Sequence, residues 1–150
     1  LSIGDAMPQY QDSDRYQVVW LVRRLFRAMG QASDELLRPR GLSAADRAVM
    51  EFLYPDEALS VPEIARTYSV SRQHVQVTVN SLVQRGLLRS MENPKHKRSR
   101  LIRLSELGRE CFAEIRRRES AAIEELFADI PQEALSTTRE TLHSLHQKLS

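Results

Sequence analysis

Amide, hydroxyl and guanidinium side chains recur along one face of the segment Ser71–Arg85, at the spacing of a helix. A Gln or Asn amide can both donate to and accept from adenine, an Arg can donate two hydrogen bonds to guanine, and a Val can touch a thymine methyl group. The segment contains no Asp or Glu, which would repel phosphate. These residue types therefore indicate the reading of base edges in a DNA groove. The candidate contact residues are Ser71, Arg72, Gln73, His74, Gln76, Val77, Asn80 and Ser81.

A strongly basic stretch follows at once. Residues 85–103 contain seven Lys or Arg and one acid, Glu92, although the whole chain has a net charge of only +2. Positive charge concentrated beside a reading helix is typical of a protein that binds duplex DNA. A projecting Arg suits the narrow, negative minor groove, and other basic side chains can contact phosphates, which position a protein without specifying sequence. The candidate contacts in this stretch are Lys95, Lys97, Arg98 and Arg100.

Two short helices and a hairpin must position these side chains. The apolar spacing predicts helices over Val61–Tyr68 and Ser71–Arg85, separated by a polar break, which together form a helix–turn–helix. The segments Leu87–Met91 and Leu101–Leu104 alternate apolar with basic residues, which predicts two exposed strands. Asn93-Pro94 is a turn signal between them. The hairpin is therefore predicted to form a wing beside the reading helix.

The N-terminal half is predicted to contain a loose arm, a long helix and a shorter one. Leu1–Asp12 is expected to be the arm, and an apolar stripe predicts a helix from about Asp14 to Leu37. Ser43 begins the next helix because Asp46 lies three residues later, which is the spacing of a capping box. Ser60 and Glu63 repeat this pattern at the start of the helix–turn–helix.

The C-terminal part is predicted to form two further helices. Ser105 opens a helix to about Asp129, and Leu107, Cys111 and Ile115 recur along it at helical spacing, which predicts its inner face. Pro131 begins the last helix. Its apolar positions follow heptad spacing, which needs a partner helix; they are Leu135, Thr138, Leu142, Leu145 and Leu149.

Composition argues against several other classes of protein. A single cysteine leaves no intramolecular disulfide, no run approaches the roughly 18 apolar residues of a membrane span, and Leu1–Tyr10 lacks the pattern of a signal peptide. The cytoplasm is therefore the expected location. A small enzyme would need a converged catalytic set, and the His and Cys residues form no such motif. A DNA-compacting protein would be basic throughout, whereas the chain outside residues 85–103 is acidic. A protein-interaction module built on the winged fold is a further alternative.

The ordered motifs resemble those of the MarR family of bacterial transcriptional regulators. The resemblance runs through nearly the whole chain, and its most specific parts are SRQHVQVTVNSLVQRG at 71–86 and NPKHKRSRLIRLSELG at 93–108. Family members carry an Asp-x-Arg near the wing tip and Leu-Thr-x-x-Gly after the wing. Arg98 matches the arginine of the first motif, which enters the minor groove, and His96 stands where the family has the Asp that braces it. The sequence Leu104-Ser105-Glu106-Leu107-Gly108 matches the second motif.

The resemblance implies a mostly α fold with a minor β component, formed by residues 1–150 as a single MarR-type domain. Residues of about 43–104 would form the winged helix–turn–helix, and those of about 14–40 and 105–150 would form dimerisation helices. It implies a homodimer that binds a palindromic operator in double-stranded DNA, with Ser71–Arg85 in the major groove. A repressor released by a small aromatic or phenolic effector is the expected mode of action.

Sensing sites remain as secondary hypotheses. Arg15, Tyr16, Trp20 and Arg24 could line an effector pocket, although core packing is the commoner role for a Trp at such a position, so the effector-binding residues stay unknown. Glu140, His143 and His146 share a helical face at a spacing that suits a metal, but solvated side chains are the simpler reading. Cys111 is a candidate redox sensor, but it lies on an apolar stripe, where a thiol is usually inert packing. No metal site and no cofactor is predicted.

Overall fold

The computed structural model of the chain describes residues 13–150, so the predicted arm at Leu1–Asp12 lies outside the described residues. The described chain divides into two compact units, one ending at Ile115 and the other comprising Arg116–Ser150. The fold is mostly α with one small sheet, as predicted. Its helices and strands are α1 (Asp14–Leu37), α2 (Ala44–Leu53), β1 (Leu59–Ser60), α3 (Val61–Tyr68), α4 (Arg72–Gln84), β2 (Leu88–Met91), β3 (Leu101–Leu104), α5 (Glu106–Phe127) and α6 (Gln132–Leu149).

Helix α1 has the bounds that its apolar stripe predicts. The Ser13 hydroxyl caps it by accepting from the Tyr16 amide, and the helix ends in a short 3₁₀ turn followed by Gly41 in the left-handed conformation (φ 63°). Leu37 is its one buried residue. The apolar stripe of α1 is therefore exposed in the single chain.

Two capping boxes begin α2 and α3, as the sequence predicts. The Ser43 amide donates to the Asp46 carboxylate at 2.8 Å, and the Asp46 amide donates back to the Ser43 hydroxyl at 3.1 Å. In α3 the Ser60 amide donates to Glu63 at 2.7 Å and the Ser60 hydroxyl donates at 2.8 Å. These two hydrogen bonds hold the pKa of Glu63 below its ordinary value. The starts of both helices are thus set by local chemistry.

The turn between α3 and α4 contains a non-glycine residue in the left-handed conformation. Ser69 has φ 56° and ψ 41°, and its amide bonds back to the carbonyls of Ala65 and Arg66. Left-handed backbone costs an L-residue about 1–2 kcal/mol because Cβ crowds the following carbonyl. The left-handed conformation thus lets the Ser69 amide bond to the last carbonyls of α3, and the backbone strain is its cost.

We expect Ser69→Gly to raise the free energy of unfolding by about 0.5–1 kcal/mol, since glycine removes the Cβ crowding but gains freedom in the unfolded chain. Urea unfolding followed by circular dichroism measures the change. Ser69→Ala is the control, because it keeps Cβ and should give no gain. A gain of equal size in both variants would show that the hydroxyl, and not the backbone conformation, is unfavourable.

The sheet has three antiparallel strands in the order β1–β3–β2. The wing strands pair as predicted, with Leu88 opposite Leu104 and Ser90 opposite Ile102. The sequence did not predict β1, whose two residues pair with Leu101 and Ile102. This short strand, directly before α3, pairs with the half of β3 that lies nearer the wing tip.

The core of the first unit packs α2, α3, α4 and the sheet against the start of α5. Val75, Val79 and Leu82 of α4 are fully buried, as their spacing predicts. The predicted inner face of α5 needs a correction, because Leu107 is 55% exposed while Gly108 and Phe112 are buried. The Phe112 ring lies 5.2 Å from that of Tyr54. The inner face is therefore rotated by one position at the start of α5.

Gly108 lies where α5 meets the end of α4. The Ser105 amide donates to the Leu87 carbonyl at 3.0 Å, and the Ser105 hydroxyl donates to the Gly86 carbonyl at 2.6 Å. The Gly108 amide donates to the Ser105 hydroxyl at 2.9 Å. A Cβ on Gly108 would lie 1.9 Å from the Leu87 carbonyl oxygen. Only glycine allows the helix to approach this closely.

The second unit contains the end of α5, a short turn and α6. None of the residues of α6 is buried, and the heptad positions Leu142, Leu145 and Leu149 are all exposed. Ile123, Leu126 and Phe127 of α5 are exposed as well. Among residues 13–150, no helix combines the length and apolarity needed to cross a membrane.

Candidate nucleic-acid interface

Helix α4 presents one polar face outward because the opposite face is anchored in the core. The Ser71 hydroxyl caps the helix by accepting from the His74 amide at 3.1 Å, and the buried Thr78 hydroxyl donates to the His74 carbonyl at 3.2 Å. All eight predicted contact residues of this segment are exposed; they are Ser71, Arg72, Gln73, His74, Gln76, Val77, Asn80 and Ser81. The apolar side chain of Val77 is 64% exposed on this face.

Two of these side chains are paired with each other. The Gln76 amide donates to the Asn80 amide oxygen at 2.8 Å, one helical turn away. The pair lies on the outward face, so its remaining donors and acceptors face solvent.

The C-terminal end of α4 is tied to the turn after α1. Arg85 donates to the Gly41 carbonyl at 3.0 Å and to the Arg40 carbonyl at 2.8 Å, and its guanidinium lies 4.0 Å from the Asp46 carboxylate. Arg85 is one of the seven basic residues in the stretch 85–103, but the structure shows that its guanidinium is hydrogen-bonded within the protein. Its partners lie 44 and 45 residues away, and no local pattern could identify them.

The wing tip is a compact polar turn. The Asn93 side chain accepts from the Lys95 amide at 3.0 Å, and the Ser99 amide donates to the His96 carbonyl at 3.0 Å. Lys95, Lys97, Arg98 and Arg100 are exposed. The turn therefore projects several cations away from the core.

Arg98 and Arg100 of the wing differ in their hydrogen bonding within the protein. Within residues 13–150 the Arg98 side chain has no hydrogen bond or ion pair, so no described group braces it, His96 included. Arg100, in contrast, donates to the Ser90 hydroxyl at 2.6 Å and to the Ser90 carbonyl at 3.4 Å. Arg98 is thus available to a ligand, while Arg100 is held against β2.

A groove of about 850 Å³ separates α4 from the wing. Its floor is apolar and contains Val79, Val83 and Ile102. Its rim carries polar and basic groups from both sides, which are Arg72, Gln73, Gln76, Asn80 and Gln84 of α4 and Ser90, Arg98, Ser99 and Arg100 of the wing. Four predicted contact residues of α4 and two predicted arginines of the wing therefore line the same cleft, and all the charged side chains that line it are cationic.

Asp56 holds the base of the wing to the start of α5. Its carboxylate accepts from Arg103 of β3 and, at 3.3 Å, from Arg109 of α5, which also donates to the Pro55 carbonyl at 3.2 Å. The hydrogen bond and charge of Arg103 hold the pKa of Asp56 below its ordinary value, with smaller effects from Arg109 and Arg89. Sequence reasoning missed this cluster because its members are about 50 residues apart.

We expect this cluster to make stability depend on pH. Since the folded pKa of Asp56 is lowered, its contribution is present above the unfolded value of about 4 and is lost as pH falls through the folded value. Asp56→Asn should therefore destabilise the protein at pH 7, and its deficit relative to the parent should shrink towards pH 3. Urea midpoints of both proteins across this range measure it. A deficit that stays constant with pH would contradict an electrostatic origin.

The comparisons with known proteins agree with this geometry. A crystal structure of the MarR family transcription regulator SP03579 superposes with a TM-score of 0.84 at 22% identity, covering 89% of each chain. The family model described as MarR family matches residues 40–99, from the turn after α1 through the wing. The chain belongs to the MarR family. As a member, it is a DNA-binding transcription regulator with a winged helix fold and is not an enzyme.

A sequence relative and a further solved structure extend the match. The chain is 32% identical over 133 residues to the uncharacterized protein Rv2011c of Mycobacterium tuberculosis, covering 89% of this chain and 87% of the relative. Streptococcus pneumoniae FabT in complex with DNA superposes with a TM-score of 0.79 at 16% identity, covering 91% of this chain and 97% of that one. The MarR fold therefore extends beyond residues 40–99 to most of the chain.

The structure also shows the surroundings of the residues that the sequence suggested as sensing sites. Cys111 is half-buried and packs against the core. On α1, the Arg24 guanidinium lies 4.7 Å from the centre of the Trp20 ring, and Tyr16 is 62% exposed. In the part of the chain that the structure describes, no three His, Cys, Asp or Glu side chains come together as metal ligands.

Proposed function

We propose that this MarR-family protein is a dimeric repressor that binds a palindromic DNA operator and is released by a small aromatic or phenolic effector. In this proposal α4 lies in the major groove and the wing lays Arg98 into the flanking minor groove. The observation that carries it is the cleft between α4 and the wing, whose rim is polar and cationic. Arg98 at its edge is held by no other residue of the described range 13–150.

The exposed side chains fall into two groups, those suited to base edges and those suited to phosphates. Arg72, Gln73 and the Gln76–Asn80 pair can hydrogen-bond to base edges, and Val77 can touch a thymine methyl group. Ser71, His74 and Ser81 flank this set and suit phosphates, as do Lys95, Lys97 and Arg100 of the wing. FabT, which has a similar fold, was solved in complex with DNA, and this supports a DNA-binding role for the fold.

A homodimer accounts for the exposed apolar surface. Large apolar residues line α1 without cover, namely Val18, Val19, Leu21, Val22, Leu25, Phe26 and Met29. The second unit leaves Leu142, Leu145 and Leu149 uncovered at heptad spacing. Soluble monomers rarely expose contiguous apolar patches of this kind. A second copy supplies a matching surface, and its two-fold symmetry calls for a palindromic operator with half-sites about one DNA turn apart.

The effector would act by favouring one arrangement of the dimer over another. It needs a preference of only about 1–3 kcal/mol for the arrangement that does not fit DNA. The aromatic and cationic side chains of Tyr16, Trp20 and Arg24 suit a small aromatic acid, because such a ligand presents a ring and a negative charge. The cytoplasm is the proposed location because chromosomal DNA is there.

A gel shift with genomic fragments tests the DNA-binding proposal. We expect a subset of fragments to stay bound at moderate salt in the presence of excess bulk DNA, and footprinting of that subset to reveal two symmetric half-sites. If no fragment outcompetes bulk DNA, the protein is not a specific regulator.

Two further measurements test the dimer and the effector. Analytical ultracentrifugation should give a mass of about twice 17.3 kDa, and Leu25→Glu in the exposed stripe should shift it towards the monomer.

A panel of small aromatic acids and phenols should release the bound fragment. Release by none of them, with DNA binding intact, would reject this effector class alone.

A further inference from the structure

The hydrogen bond between Gln76 and Asn80 restricts what the outward face of α4 can recognise. An isolated Gln or Asn amide can rotate to offer either its oxygen or its nitrogen to a base. Here the Gln76 nitrogen donates to the Asn80 oxygen at 2.8 Å, and both side chains are exposed on the rim of the cleft. Each amide therefore fixes the orientation of the other.

The paired amides leave one acceptor and one donor group free. The Gln76 oxygen remains as the acceptor, and the Asn80 nitrogen remains as the donor. Exchanging oxygen and nitrogen in both amides leaves the same set with the positions reversed. The pair thus offers one donor and one acceptor in either arrangement.

We propose that Gln76 and Asn80 form a single recognition unit that selects a base with an exocyclic amino group. This inference rests on the proposed function, since it assigns specificity to α4 in the major groove. In that groove only adenine and cytosine present an amino donor, whereas guanine presents acceptors alone and thymine an acceptor and a methyl group. Where guanine or thymine takes that position, the amino group belongs to the opposite base of the pair and is displaced across the groove. The free amide oxygen would then lose water without gaining a well-placed hydrogen bond, which is unfavourable. The free donor is satisfied by adenine N7 or by an acceptor on the neighbouring pair.

The alternative is that the pair only supports the helix. Amide pairs at this spacing stabilise an exposed helix slightly wherever they occur. Helix α6 offers another polar pair at the same i, i+4 spacing, in which the Gln132 amide donates to the Ser136 hydroxyl at 3.5 Å. Gln132→Ala therefore controls for the loss of a helix-surface pair outside the reading face.

The test is selection of binding sites from a randomised pool of duplexes. The full-length protein, Gln76→Ala, Asn80→Ala, the double variant and Gln132→Ala are compared. We expect the parent and Gln132→Ala to enrich adenine or cytosine at one position per half-site, by roughly fivefold to a hundredfold over the other bases. Each single variant should lose most of this preference, and the double variant should lose little more, because the two amides act together.

Base analogues give an independent readout on the selected site. Replacing the selected adenine by purine, or cytosine by 2-pyrimidinone, removes only the amino group. The parent should lose affinity on this change, while Gln76→Ala and Asn80→Ala should be indifferent to it.

The outcomes separate this inference from the function on which it rests. If the parent selects a site and the variants keep the same preference, or if the two single losses add, the recognition unit is rejected and the regulator stands. Enrichment of guanine or thymine under the pair also rejects it. If the parent selects no site, the proposed function fails, and this inference fails with it.

Discussion

Replacing Arg98 with alanine should weaken binding to an operator with A·T-rich flanks roughly tenfold to a hundredfold. The A·T-rich minor groove is narrow and strongly negative, so an inserted guanidinium gains more there than in a wider groove. Arg98 forms no hydrogen bond or ion pair with residues 13–150, so the substitution removes no internal contact that the structure describes. Fluorescence anisotropy with two duplexes, which share half-sites and differ only in their flanks, measures the effect.

Lys95→Ala is the matched control for this prediction. Lys95 lies on the same exposed turn and is suited to a phosphate, so its loss should weaken both duplexes by a similar and smaller factor. An equal loss on the two duplexes with Arg98→Ala would show that this arginine contacts phosphate and does not read groove shape.

Replacing Gly108 with alanine should lower the free energy of unfolding by about 3 kcal/mol, at the upper end of typical overpacking costs. The new Cβ would lie 1.9 Å from the Leu87 carbonyl oxygen and 3.2 Å from a Leu104 methyl group. A backbone carbonyl cannot rotate away as a flexible side chain can. The start of α5 would have to move, and the hydrogen bonds from Ser105 to Gly86 and Leu87 would be strained. Denaturant unfolding measures the loss.

Gly30→Ala supplies the contrast for the same substitution. Gly30 lies inside α1, and nothing within 4 Å would meet a Cβ there. Alanine should stabilise the single chain by about 0.5–1 kcal/mol because it lowers the entropy of the unfolded state. If Gly108→Ala were as harmless as Gly30→Ala, the close approach of α5 to Leu87 would not constrain this position.

The elements that local chemistry determines were predictable from the sequence. Ser43 and Ser60 begin their helices through capping boxes that involve residues three positions away, and α4 buries the predicted Val75, Val79 and Leu82. The wing strands also follow from alternation of apolar and basic residues. In each case the determining contacts lie within a few residues of one another.

The features that the sequence did not predict depend on distant partners. Strand β1 has only two residues and exists because it pairs with β3. Phe112 is buried because α5 rotates to bring Gly108 against Leu87, which no apolar stripe could indicate. The bonds of Arg85 to the turn after α1 and of Asp56 to Arg103 also span more than 40 residues. Residue type was therefore enough to predict the contact surface. It could not predict the hydrogen bonds and ion pairs within the protein that occupy some of its basic side chains.

The internal ion pairs of two arginines change how many counterions the wing region can displace from DNA. Seven Lys or Arg lie in residues 85–103, but Arg85 is paired with Asp46 and Arg103 with Asp56. Five cations remain, which are Arg89, Lys95, Lys97, Arg98 and Arg100. Each neutralised phosphate contributes about −0.9 to the slope of log K against log salt, so this region should contribute about −4.5 per protomer and not about −6.3. Affinity should therefore fall less steeply with ionic strength than the sequence charge implies.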